Sequence, residues 1–274
     1  MIIGIDIGST TTKAVSLEDR SIVRKVKTRA EDAVTSATGA LGKMILENGI
    51  RMSEIRRIMI TGAGSTKIRG ELFGIPTEKV SEINAIGTGG MYLSGQDNIV
   101  IANIGTGTAI IEARKDGITH LGGSGVGGGT ILGLAKKILS LSDYSDFMEL
   151  ARGGNLEPVD LLVEDIMSQN VSFLNNKATA SNFGKMLDTA RNEDLALGII
   201  NMVYEVIGMI SVFAARSRNL DKVIVTGWGS HNPLGKTVLA KITSMHSIAF
   251  EYPEDAEYTT AVGAGLCGLK GESK

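Results

Sequence analysis

The chain has 274 residues, 43% hydrophobic and 21% charged, which is ordinary globular usage and excludes both a disulfide-stapled miniprotein and a disordered chain. Its 28 Lys and Arg against 30 Asp and Glu leave a net charge of −2, so no broad basic field exists to hold a nucleic-acid backbone. One Cys and 3 His exclude an internal disulfide and speak against a structural zinc site, which fits a reducing, cytoplasmic setting.

Met1 to Asp6 carries no basic leader, and the apolar stretch Val206 to Ala215 is interrupted by Gly208 and Ser211, so neither a secretory leader nor a membrane span is expected. Ile2 to Ile7, Thr12 to Leu17 and Ser21 to Lys27 alternate with the strand period, turning at Gly8-Ser9-Thr10 and Glu18-Asp19-Arg20, and predict a three-stranded meander. Ala30 to Asn48 has apolar residues at helical spacing and stops at Asn48-Gly49. Ile55 to Thr61 predicts a strand, and short helices are expected near Thr66 to Phe73 and Ala85 to Leu93.

The pattern then restarts. Ile99 to Ile104, Thr108 to Arg114 and Ile118 to Leu121 predict strands, with turns at Gly105-Thr106-Gly107 and Lys115-Asp116-Gly117, and a helix follows from about Thr130 to Leu139. Asp6-Ile7-Gly8-Ser9-Thr10 and Asn103-Ile104-Gly105-Thr106-Gly107-Thr108 therefore occupy equivalent corners of two related α/β halves, 1–98 and 99–274. Beyond them, helices are expected over Tyr144 to Ala151, Ser181 to Thr189, Glu193 to Ser217 and Pro233 to Thr243, with a buried strand at Val223 to Thr226. A Gly/Ala-rich helix from Tyr258 to Leu269 and a loose tail from Lys270 to Lys274 end the chain.

The two corners carry the chemical signal. Gly with Ser or Thr in a tight turn exposes backbone N–H groups and hydroxyls to an approaching phosphate, and two facing turns would clamp a polyphosphate from both sides. Either alone is equally an ordinary hairpin; the shared register is what raises the functional reading. Asp6 lies in an apolar strand, where a carboxylate needs a cation. Mg²⁺ bridged to phosphates would serve, with Lys13 reaching the same phosphates, and so would a purely structural pair with Lys13 or Ser9.

Two further glycine runs imitate nucleotide fingerprints without their context. Gly123-Ser124-Gly125-Val126-Gly127-Gly128 has G-x-G-x-x-G spacing but follows a meander, and Gly229 to Thr237 has one residue too many for a P-loop. Gly127 to Thr130 can still hold phosphate at a helix N-terminus, and Gly227-Trp228-Gly229-Ser230 either walls an adenine or is a plain strand-to-helix turn.

Taken together, Gly4-Ile-Asp-Ile-Gly-Ser-Thr-Thr-Thr-Lys13, Asn103 to Thr108, Gly127-Gly-Gly-Thr-Ile-Leu-Gly-Leu134, Thr179-Ala-Ser-Asn-Phe-Gly184, Thr226-Gly-Trp-Gly-Ser-His-Asn232 and Tyr258-Thr-Thr-Ala-Val-Gly-Ala-Gly265 resemble the actin, sugar-kinase and heat-shock chaperone ATPase superfamily. Within it the sequence is most similar to type II pantothenate kinases, over nearly its whole length. The resemblance implies two RNase H-like, actin-type domains around an ATP cleft, and transfer of the γ-phosphate to the primary hydroxyl of pantothenate. It implies ATP contacts from Asp6, Gly8, Ser9, Thr10, Thr11, Lys13, Thr106, Gly128, Gly129, Thr130, Ile131, Leu132, Tyr144 and Trp228, with Asp6 towards Mg²⁺. Val80-Ser81-Glu82-Ile83-Asn84-Ala85 resembles the segment bearing the general base, which makes Glu82 the candidate, and Thr106 and Gly123 resemble substrate-contacting positions. Where the family grips the pantothenate carboxylate with Arg, this chain has His120, which lacks the bidentate, permanently charged fork.

That substitution keeps a related alcohol such as pantetheine open as acceptor. Two readings from other classes also stand: a dehydratase-activator ATPase, which would need two cluster-binding cysteines per subunit where only Cys267 exists, and a non-catalytic nucleotide sensor. The long Glu193 to Ser217 helix, apolar over a wide arc, is expected to pair in a homodimer or to be buried within the second half.

Overall fold

A computed structural model describes residues 1–29, 32–167 and 176–270. The first half runs β1 (Ile2–Ile7), β2 (Thr11–Glu18), β3 (Ser21–Arg29), α1 (Ala33–Asn48), β4 (Arg57–Thr61), β5 (Thr77–Lys79) and α2 (Glu82–Ser94). The second repeats it with β6 (Asn98–Ile104), β7 (Thr108–Arg114), β8 (Gly117–Ser124) and α3 (Gly128–Ile138), then α4 (Tyr144–Arg152), β9 (Leu161–Leu162), α5 (Val163–Ile166) and β10 (Thr179–Ser181). It closes with α6 (Asn192–Ser217), β11 (Lys222–Thr226), α7 (Pro233–His246), β12 (Ala249–Glu251) and α8 (Thr259–Lys270).

The two five-stranded sheets, β3-β2-β1-β4-β5 and β12-β11-β6-β7-β8, match strand for strand when one is read backwards. Each has an antiparallel meander on one side of its central strand and parallel strands on the other. The repeat predicted from the duplicated meander is present, and the architecture is the actin-type fold that the resemblance implies. Alternation lets the first sheet bury both faces: Ile3, Ile5 and Ile7 of β1 pack beneath α1, while Val15 and Leu17 of β2 face Ala261, Val262 and Leu266 of α8.

Two helices are exchanged between the halves. α2 covers Ile99, Ile101 and Ile111 of the second sheet, and α8, the last element of the chain, returns to β1, β2 and β4 of the first. They cross each other so closely that a Cβ on Gly263 would run into the Ala85 carbonyl, which is why this terminal helix is rich in glycine and alanine.

Several boundaries differ from expectation. Thr66 to Phe73 is not helical: a 3₁₀ turn spans Ala63–Lys67, and Gly70 and Gly74, both at positive φ, break the rest while Ile68, Leu72 and Ile75 plug the core. Ser181 to Thr189 is no helix either. Its backbone turns through left-handed Phe183 and Met186, and Phe183 N–H donates to Asp160 Oδ1 at 2.8 Å. The third strand of the second meander runs on to Ser124, and its helix starts at Gly128 instead of near Thr130. The start expected at Ala30 and the tail after Lys270 lie outside the described residues. α6 is long and apolar enough, by length and composition, to cross a membrane, contrary to the reading of its Gly208 and Ser211 breaks; 61% of its apolar window is packed inside the molecule.

Candidate active site

The strand-to-strand turns of the two meanders converge. Ser9, in the β1–β2 turn, and Thr106, in the β6–β7 turn, share a hydrogen bond between Oγ and Oγ1 at 2.6 Å across 97 residues of chain. Beneath them opens a cavity of about 550 Å³ lined by Asp6, Gly8, Ser9, Thr10, Thr11, Lys13, Glu82, Thr106, Gly128, Gly129, Leu132, Tyr144 and Trp228. Thirteen of the residues singled out in the sequence are thus brought to one cleft.

Asp6 and Lys13 face each other across the β1–β2 ladder at the cavity floor. Burial pushes the Asp6 carboxyl up to about 6; the Lys13 ammonium opposes that rise and the Glu82 carboxylate adds to it. Burial likewise lowers the Lys13 ammonium, with Asp6 counteracting. Glu82 opens α2 on the opposite wall, solvent-accessible yet flanked by protein, and partial desolvation holds its carboxyl above the ordinary range. Two carboxylates and one ammonium therefore line the same cavity, each less inclined to be charged than in water. This is the kind of poise that active sites show.

The roof is aromatic. Tyr144, the first residue of α4, meets Trp228 edge to face with centroids 4.4 Å apart, and burial pushes its phenol up to about 12. A second concavity of about 450 Å³ lies against the same two rings and reaches Lys27, Arg152 and His231.

The glycine loop before α3 behaves differently from expectation. Gly128 N–H and Gly129 N–H donate to the Gly105 and Thr106 carbonyls, both at 2.9 Å, and Gly127 N–H donates to Thr130 Oγ1. Those amides clamp the second corner; what the loop offers an anion is the helix dipole. Thr130 caps the helix and Ile131 is buried in the core, and neither lines the cavity. His120 and Gly123 lie on β8 outside its lining, His120 exposed. Ala63, Ser142 and Thr260 also line it without having been singled out. Thr260 arrives with the returning α8 and was visible only inside the Tyr258 to Gly265 motif.

The Fumble family model matches residues 98–265. The chain is 30% identical to a type II pantothenate kinase of Bacillus anthracis over 276 aligned positions, covering 96% of each, and 27% identical to one of Staphylococcus aureus, covering 98% of this chain and 100% of the relative. Among solved structures it is similar to the activator of 2-hydroxyisocaproyl-CoA dehydratase from Clostridium difficile with bound ADPNP, at TM-score 0.70 and 19% identity over 98% of this chain and 94% of that one. It is also similar to a glucokinase of the ROK family from Streptomyces griseus in complex with glucose and AMPPNP, at TM-score 0.62 and 14% identity over 97% and 98%. These two structures are likenesses of fold.

Proposed function

The chain belongs to the type II pantothenate kinase family, an ATP-using phosphotransferase family, and from that premise we propose that the Ser9–Thr106 cleft transfers the γ-phosphate of ATP to the primary hydroxyl of pantothenate. The observation that supports this reading best is the meeting of the two corners over Asp6, Lys13 and Glu82 in one cavity.

Each residue has a distinct task. The Ser9, Thr10 and Thr106 hydroxyls and the Lys13 ammonium meet the phosphate oxygens, and the α3 dipole adds to them. Tyr144 and Trp228 wall the base and ribose. Glu82 orients the acceptor hydroxyl in line and takes its proton late in transfer, as the new oxygen–phosphorus bond forms and the bond from the γ-phosphorus to the leaving ADP breaks. A raised carboxyl is a better match to that proton than an ordinary glutamate.

Among the described residues no group of three or more His, Cys, Asp or Glu gathers to build a metal cage. One half-buried carboxylate, Asp6, with phosphates and water, fits the way Mg²⁺ is usually held beside a nucleotide. Bound there with ATP, Mg²⁺ would neutralise phosphate charge.

ATP, Mg²⁺ and pantothenate should yield ADP and 4′-phosphopantothenate, with Glu82→Gln abolishing most turnover while nucleotide binding persists; a fully active Glu82→Gln removes the assigned base. Because His120 is exposed and outside the cavity lining, the acceptor's acid end has no Arg there to hold it. Comparing kcat/KM for pantothenate and pantetheine decides between the two acceptors. The activator reading fails on chemistry: the sole Cys267 lies on α8, 3.7 Å from Thr88 Oγ1 on α2, and one thiol per subunit cannot supply half of a four-thiolate cluster. A homodimer through α6 is part of the proposal, with Phe213, 61% exposed on that helix, as its first contact; sedimentation at low concentration tests it.

A further inference from the structure

The internal repeat extends past the corners, to the ends of the strands beside them. Thr61-Gly62-Ala63-Gly64-Ser65 leads out of β4 from its last residue as Thr226-Gly227-Trp228-Gly229-Ser230 leads out of β11. Thr61 is the parallel ladder partner of Asp6, and Thr226 that of Asn103. Gly62 (φ 82°, ψ 167°) and Gly227 (φ 80°, ψ −177°) share one backbone conformation, each followed by a 3₁₀ turn. Ser65 Oγ donates to the Gly62 carbonyl and Ser230 Oγ to the Gly227 carbonyl, both at 2.7 Å. Even the acceptor oxygens coincide: Asp6 Oδ1 lies over Gly62 and Asn103 Oδ1 over Gly227.

One bond breaks the correspondence. Thr226 Oγ1 donates to Asn103 Oδ1 at 3.0 Å and locks that side chain. Thr61, just as fully buried, has a hydroxyl with no hydrogen-bond partner among the described residues. A buried hydroxyl left unpaired is costly, so a position that keeps one beside a functional carboxylate calls for a role.

We propose that Thr61 is a positioning residue for Asp6: as its ladder partner, it would donate its hydroxyl to the Asp6 carboxylate in the way that Thr226 donates to Asn103. Holding one carboxylate oxygen from the strand side leaves the other facing the cavity, where the metal-bound nucleotide is read to sit. The inference rests on that reading of Asp6. It predicts that Thr61 matters to the metal nucleotide and not to the nucleotide alone.

Calorimetry of MgADP and of metal-free ADP, on the full chain, tests it. Thr61→Val should weaken MgADP about tenfold, the loss expected for one hydrogen bond to a charged group, and change metal-free ADP less than about twofold. Thr61→Ser should restore the affinity, and Thr61→Val should add nothing once Asp6→Ala has removed the acceptor. Thr61→Ala repeats the measurement if valine crowds the strand and the variant fails to fold. Wild-type MgADP affinity in both hydroxyl-less variants overturns the role, as does an equal loss for metal-free ADP or an undiminished loss on the Asp6→Ala background. If Asp6→Ala weakens MgADP while Thr61→Val does not, only this inference falls. If Asp6→Ala leaves MgADP affinity untouched, the reading of Asp6 falls first and the role of Thr61 with it.

Discussion

At the first corner Asp6 faces Lys13 across the ladder, whereas the same ladder position at the second pairs Asn103 with Ala109. The turns close differently, Gly8 N–H on the Thr11 carbonyl and Gly105 N–H on the Gly107 carbonyl, but the cavity touches all four ladder residues, and the difference that bears on an anion is one of charge. In the proposed function, duplication supplies two similar grips for a polyphosphate, with the ionisable groups concentrated in one of them. The neutral corner is instead made rigid. Thr226 locks Asn103, and the Gly128 and Gly129 amides fasten the turn carbonyls. The charged corner holds groups that are partly desolvated and incompletely paired, as a site that must rearrange around a ligand requires.

The comparison can be broken in graded steps. Removing the proposed base should cost most: Glu82→Gln is expected to lower kcat on the order of 10²–10⁴-fold, read in a coupled ADP assay, with nucleotide affinity nearly unchanged. The same assay against pH should show activity falling on the acid side as Glu82 takes up a proton. Because its carboxyl is raised, that limb lies above the ordinary value of 4.5, and in Glu82→Gln it should vanish. Copying the charge onto the neutral corner should cost less. Asn103→Asp keeps the acceptor for Thr226 but adds an anion beside the phosphates, and KM for ATP should rise about tenfold.

Removing the hydroxyl that joins the corners, Thr106→Val, should raise KM for ATP roughly two- to fivefold, since the bond to Ser9 is solvent-exposed and worth about 1 kcal/mol at most. Smallest is an effect on stability. The Asp6 carboxyl titrates near 6 in the fold and at an ordinary 3.8 unfolded, so the native state binds more protons between these values. Asp6 therefore destabilises the ligand-free protein increasingly as pH rises from 3.8 through 6. Asp6→Asn should stabilise it at pH 8 by on the order of 1 kcal/mol, the attraction to Lys13 being already contained in the value of about 6. No gain, measured by denaturant unfolding, contradicts the reading of Asp6 as a strained carboxylate.

Much of this was legible because it is periodic. Alternation marked both meanders, the restart at Ile99 marked the duplication, and together they placed Ser9 and Thr106 in equivalent turns before their contact was seen. What alternation cannot report is a contact between distant segments. The exchange of α2 and α8 between sheets rests on helix faces that are almost uniformly small, with no polar side to show which sheet each covers. Thr260 entered the cavity only through that exchange.

Where apolar spacing misled, side-chain bonding or glycine won. At Ser181 to Thr189, Asn182 Nδ2 donates to Glu205 Oε2 and Phe183 N–H to Asp160 Oδ1, both at 2.8 Å, binding the segment to its surroundings in an irregular form. At Thr66 to Phe73, Gly70 and Gly74 were visible and outweighed the helical pattern. The Asp6–Thr61 relation needed both sheets, since it shows itself only against Asn103 and Thr226.

The most direct test of the two-sided clamp is hydrogen–deuterium exchange with and without MgAMPPNP. The account predicts that amides of both turns, around Ser9 and around Thr106, slow together on saturation. Protection of one turn with the other unchanged, or of neither, would contradict it.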